Sequence, residues 1–134
     1  MIDIQAEVFD TVARAILAEF PDAYVVDENV SSPPKLPCVC LVERDNALNV
    51  STLDSSGDEN HADIMFELDV YSGKLNDRKR EARKIAAIAD AKLQMIGFVR
   101  VMLNPIENLM DSSVYRMKGR YRATVSKNKV IYRR

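Results

Sequence analysis

The chain has 134 residues, 47% of them hydrophobic and 29% charged. That is the composition of an ordinary globular domain, and its length predicts one domain whose core needs no metal or disulfide staple. With 19 basic against 20 acidic side chains the net charge is −1, which excludes a bulk pull toward nucleic acid or anionic lipid and leaves electrostatic function to local asymmetry.

Residues 3–20, "DIQAEVFDTVARAILAEF", place Ile4, Val8, Val12, Ile16 and Phe20 at four-residue spacing, with Phe9, Ala13 and Leu17 widening the stripe. The spacing predicts an amphipathic helix that buries one face, with Asp3 as its cap and Pro21 as its stop. The same acidic, amphipathic start is unlike a signal peptide, and no apolar run reaches the roughly 18 residues of a membrane span. The expected setting is the cytoplasm, without a membrane partner.

"AYVVDENV", residues 23–30, reads as a short strand, and the prolines of "SSPPKLP" make residues 31–37 a connector. "CVCLVER", residues 38–44, is apolar on both faces and predicts a central strand. Cys38 and Cys40 point the same way within it. They read as two small buried hydrophobes of a reducing compartment, because a metal site needs about four ligands and His61 is the single histidine. Residues 46–61 turn polar and are long for a connection, so they are expected to form a mobile loop or arm, with "LNVSTL" extending the strand.

"ADIMFELDVYS", residues 62–72, alternates Ile64, Phe66, Leu68 and Val70 with Met65, Glu67, Asp69 and Tyr71, the pattern of a half-buried strand. "DRKREARKIAAIADAKLQMI", residues 77–96, predicts a second helix. Asp77 would cap it, its buried stripe would be Ala82, Ile85, Ala89, Leu93 and Ile96, and Gly97 would end it. Its other face carries Arg78, Lys79, Arg80, Arg83 and Lys84. A strand starts at residues 98–103, "NPIENLMDSS" is a turn-rich link, a long strand follows, and "VIYRR" closes the chain. The expected architecture is α+β, a single domain over residues 1–134 with a mixed, mainly antiparallel sheet and two helices on one face.

The sequence offers no catalytic set. His61 stands in a polar stretch and reads as solvated, the glycines Gly57, Gly73, Gly97 and Gly119 are scattered singly, and no nucleophile elbow or phosphate loop occurs. A calcium loop counted from Asp54 finds Gly57 fourth and Met65 twelfth, where the motif needs glycine at about position six and glutamate at about twelve. Glu67 and Asp69 share a strand face, which suits carboxylates facing solvent or neighbouring cations as well as it suits an acid–base pair. Neither an enzyme nor a cofactor is expected.

The most informative stretch is "YRMKGRYRATV", residues 115–125. Alternation places Arg116, Lys118, Arg120 and Arg122 on one face and Tyr115, Met117, Gly119 and Tyr121 on the other. Four cations in a row suit a charged, solvated face that blunts edge pairing. They also suit a seam between subunits, with the acids Asp54, Asp58, Glu59 and Asp63 supplying the complement in a head-to-tail ring. A phosphate-tracking surface ranks below both, since the tyrosines that could stack on bases point the other way.

The runs "DENHADIMFELDVYSGKLNDRKREARKIAAIADAKLQMIGFVR" and "NPIENLMDSSVYRMKGRYRATV", with the terminal "IYRR", resemble the small tail-completion or tail-terminator proteins of tailed bacteriophages and prophages. The resemblance implies a structural virion-assembly protein, made in the host cytoplasm and placed in the tail or neck. Such proteins form a ring, usually a hexamer, at the head-proximal end of the tail tube. The ring stops tube polymerisation and offers a surface to the head connector, while DNA passes through its lumen. The expected partners are therefore copies of itself, the tail tube protein and the connector, and weak exposed charge pairs fit a monomer before assembly. The nearest alternative is another neck component, a head-completion or connector protein. A nucleic-acid-binding module stands further off.

Overall fold

The computed structural model describes residues 1–30, 32–52, 60–107 and 111–132. The elements are α1 (Gln5–Glu19), β1 (Tyr24–Val26), β2 (Cys38–Leu48), β3 (His61–Ser72), α2 (Arg78–Met95), β4 (Val99–Ile106), β5 (Tyr115–Ser126) and β6 (Ile131–Tyr132). The strands form one six-stranded sheet in the order β1-β2-β3-β5-β4, and β6 pairs with β5 beyond the start of β4. Only β1–β2 is parallel; the other pairs are antiparallel. Both helices contribute to one core against one face of this sheet, the α+β architecture that the element order predicts.

α1 buries Val8, Val12, Ala13 and Ile16, and Ile2 and Ile4 continue its stripe into the core, while Leu17 stays at the edge. The Asp3 carboxylate accepts the Gln5 backbone N–H at 3.2 Å, although the helix-capping position itself falls on Ile4. α2 buries Ala82, Ile85, Ala86, Ala89 and Leu93, whose small and large side chains let it lie close on the sheet. Asp77 stands at its N-cap but makes no side-chain capping bond. Its carboxylate turns to Lys74 and Arg80 instead.

The far end of α2 closes as glycine there predicts. Gly97 has φ +112°, its N–H bonds to the Gln94 carbonyl, and the Phe98 N–H reaches back to Leu93. A Cβ at Gly97 would also stand 2.8 Å from Ile131 Cγ2, so both the turn and the packing of β6 require glycine. Phe98, next along, meets Phe66 edge-to-face at a ring separation of 5.5 Å.

Three elements differ from the sequence expectation. β4 runs on through Pro105 to Ile106 instead of stopping at residue 103, because it is an edge strand and proline needs no partner for its missing N–H there. β3 is not half-buried. From Phe66 to Ser72 both of its faces are buried, the helix face by the core and the other by side chains described below. His61 is not a solvated loop residue but the first residue of β3, tilted against the Tyr132 ring at 5.7 Å.

β2 changes character along its length. Cys38–Leu41 are buried, whereas Arg44, at a bulge, is exposed, as are Asp45, Ala47 and Leu48, which are still paired with β3. Beyond β1 this half of β2 is an edge of the sheet, paired on one side with β3 residues that include the buried Ala62 and Ile64, and a single 3-10 turn follows at Val50–Thr52. Of the loop or arm expected over residues 46–61, residues 46–48 belong to β2 and residue 61 to β3, and residues 53–59 lie outside the described residues.

Candidate functional site

The alternation of β3 and β5 puts two charge stripes of opposite sign on the sheet face away from the helices. The antiparallel register sets Glu67 opposite Arg120, Asp69 opposite Lys118, and Tyr71 opposite Arg116. Cross-strand neighbours approach within about 5 Å at Cβ, so acid and base meet without reaching. Arg116 donates from Nε and Nη2 to one oxygen of Asp69, at 3.0 and 2.8 Å. Lys118 Nζ lies 3.0 Å from Glu67 and 3.8 Å from Asp69, and Arg120 Nε donates to Glu67 at 3.2 Å.

A fourth cation joins from β2. A bulge between Glu43 and Asp45 takes Arg44 out of the ladder; its side chain keeps the face of Cys40 and Val42, where its Nε meets Glu67 at 3.3 Å. Four cations therefore surround two carboxylates, and this part of the face keeps a positive excess. The carboxylates lie deep, with Asp69 2% and Glu67 7% exposed, under the longer arginine and lysine stems. Burial pushes the Glu67 carboxyl up. The hydrogen bonds and charges of Lys118, Arg120 and Arg44 outweigh that and hold it below its ordinary value. Burial likewise pulls the Arg116 guanidinium down, but its bond to Asp69 leaves it raised.

Arg122 is different. It faces Met65 across the ladder, is exposed, and has no ion pair or hydrogen bond among the described residues. It borders a cavity of about 270 Å³ shared with Asp45, Asp63 and Met65. Asp63 is held within the chain, accepting the Thr124 hydroxyl at 2.8 Å and the Asn49 amide at 3.4 Å. Of the residues expected at a subunit seam, Arg116, Lys118, Arg120 and Arg122 thus share one face with Asp63. Asp54, Asp58 and Glu59 lie outside the described residues. The acids that the structure brings to Arg116, Lys118 and Arg120 are Glu67 and Asp69 of the same chain.

At the β1 end the same face turns apolar. Cys38, Cys40 and Tyr71 are buried together, with Tyr24, Val26, Val30, Val42 and Val114 packed on them. The Tyr71 hydroxyl donates to the Val30 carbonyl at 3.3 Å, and Arg116 lies over its ring at 5.2 Å. Burial, with the nearby Asp69 charge, pushes the Tyr71 phenol up to about 12. The two cysteines are free thiols sharing a hydrogen bond that, with burial, pushes Cys38 up. Among the described residues no three His, Cys, Asp or Glu side chains gather as metal ligands.

Among the described residues two side-chain polar atoms are buried without a hydrogen-bond partner, Glu43 Oε1 and His61 Nδ1. Burial, with Asp3 beside it, pushes the Glu43 carboxyl up. They lie on different strands, Glu43 opposite Phe66 on the helix side and His61 at the start of β3.

What this arrangement can do is present a broad, charged, largely self-satisfied surface; no nucleophile stands with a base and an orienting partner in it. Sequence patterning identified the four cations of β5 and both acids of β3 but not Arg44, which meets Glu67 through the pairing of β2 with β3. The chain matches no family model and no curated protein. No helix among the described residues is long and apolar enough to cross a membrane.

Proposed function

We propose that the chain is a structural protein of tailed-phage assembly, a tail terminator that closes the head-proximal end of the tail tube as a ring. The observation that carries this reading is the sheet face away from the helices. It is extended and charged, with exposed cations at Arg44, Arg120 and Arg122 around a locked Glu67–Asp69 centre. Such a face suits the setting of register between neighbouring subunits better than it suits bond chemistry, because exposed charges select partners and orientation while contributing little net affinity. The end of β2 supplies what charge does not, since Leu48 and, just beyond it, Val50 are 44% and 71% exposed.

The segments that resemble the tail-completion proteins lend further support, because they are neighbours in space. Residues 61–72 form β3, 78–95 form α2 packed on it, and 115–126 form β5 beside it. In the proposed ring, Arg120 and Arg122 meet an acidic surface of the adjoining copy or of the last tube ring, and the exposed Leu48 and Val50 pack at that seam. The lumen passes DNA.

Electron microscopy of particles assembled without this chain tests the assignment. The expected result is tails of uncontrolled length. Tails of normal length joined to heads overturn it, and normal tails left unjoined to heads assign the chain to another position in the neck.

A further inference from the structure

On the solvent side of α2, Lys79 and Arg83 form one row along the helix axis and Arg80 and Lys84 form the next, with Arg78 at their head. All five are exposed. Each row spans one turn, about 6 Å by the helix rise. Together with Asn76 and Asp77 the five cations line an open groove of about 840 Å³. Arg80 leans to Asp77 at 3.5 Å and Lys84 to Glu19 at 3.9 Å, whereas Arg78, Lys79 and Arg83 have no ion pair or hydrogen bond among the described residues.

The fold gains little from this grid: two long, exposed ion pairs and Lys84 over the Phe20 ring at 5.7 Å. The first turns of a helix favour acids, because the macrodipole is positive there, and like charges four residues apart repel. The only acid of the first turn is Glu81, and its carboxylate is taken by the Ser72 hydroxyl at 2.7 Å. A local rule broken this consistently, on a surface where Arg78, Lys79 and Arg83 have no ion pair or hydrogen bond among the described residues, points to a ligand that repays it.

We infer that this grid docks the phosphate backbone of double-stranded nucleic acid, without reading sequence. A duplex presents a charge about every 1.7 Å of its axis, so a patch of two helical turns meets several phosphates at once. The two rows contain no aromatic side chain on which unpaired bases could stack, which disfavours a single strand. They contain no apolar anchor for the centre of a protein interface either. The inference is independent of the assembly role, since it concerns the opposite side of the molecule from the Glu67–Asp69 lattice.

Fluorescence anisotropy of the purified full chain with a labelled 20-base-pair duplex of arbitrary sequence tests it. With four phosphates engaged, log K is expected to fall against log salt concentration with a slope of about −3.6, equally for two unrelated sequences. The double variant Lys79→Glu/Arg83→Glu is expected to bind at least about tenfold more weakly, with a slope shallower by about 2. That variant puts acids where the helix dipole favours them, so its thermal midpoint should equal or exceed that of the parent, which separates lost binding from lost folding. Lys127→Gln, in the β5–β6 turn, should leave affinity unchanged. Absence of binding by the parent chain at 50 mM salt, or equal binding by parent and double variant, overturns the inference and leaves the grid to an acidic protein surface.

Discussion

The two sides of β3 are both buried, and by opposite means. On the helix side, Ile64, Phe66, Leu68 and Val70 are at most 1% exposed within an apolar core. On the other side, Glu67 and Asp69 are almost as deep, covered only by the arginine and lysine side chains that neutralise them. Apolar burial stabilises in proportion to area and needs no particular partner. Buried charge costs desolvation that only a well-placed opposite charge offsets, so it constrains geometry more than it adds stability. The first side therefore holds the fold together, and the second fixes the register of β3 against β5 and leaves a defined charged face outward.

The largest expected effect is on the apolar side. Phe66→Ala should destabilise by about 3–5 kcal/mol in urea unfolding, through lost transfer energy and the cavity left against Phe98. Next comes Asp69→Ala, which strands Arg116 and leaves Lys118 with Glu67 as its one acid among the described residues. Both keep partial access to water, with side chains 23% and 19% exposed. The expected loss is therefore about 2 kcal/mol, below that of a fully buried pair. Combining it with Arg116→Ala should recover part of that loss, and strict additivity would mean that the pair is not coupled. Arg122→Ala, on the same strand but unpartnered, should cost less than about 0.5 kcal/mol. A large loss there would erase the distinction between the locked and the free cations of β5.

The smallest effect separates the two sides by pH. Glu67 is held below its ordinary value of 4.5 in the folded chain, so its contribution is complete above that value. As pH falls from 4.5 through the lower folded value, the unfolded state takes up a proton first and the contribution is lost. The thermal midpoint should drop over that interval, and Glu67→Gln should flatten the drop. The Phe66→Ala variant, less stable throughout, should retain its slope.

Much of this organisation is legible in the sequence. The four-residue spacing in α1 and α2, the alternation of residues 62–72 and 115–125, and Gly97 after the last turn locate the long elements, because period and capping are local properties. The two charge stripes are legible as well, Glu67 and Asp69 on one strand and Arg116, Lys118, Arg120 and Arg122 on another. Their meeting is not. It depends on a register between residues some fifty positions apart, and a slip of one residue would turn every cation to the helix side. Arg44 lay further from view, since alternation gives its face but only the pairing of β2 with β3 brings it to Glu67. Asp77 was misleading in another way. It has the side chain and position of a cap, yet Lys74 and Arg80 on either side compete for its carboxylate.

The amino-acid sequence by itself determined which segments are helix or strand, which of their faces are apolar, and that five cations crowd the start of α2. These follow from backbone sterics and side-chain periodicity within a few residues. Only the tertiary structure decided that three of the cations on β5 are answered by acids of the same chain while Arg122 has no ion pair or hydrogen bond among the described residues, and that the 38–48 strand is central at its start and an exposed edge at its end. Charge pairing between strands depends on their relative position, and that position is set by the packing of the whole sheet against its two helices.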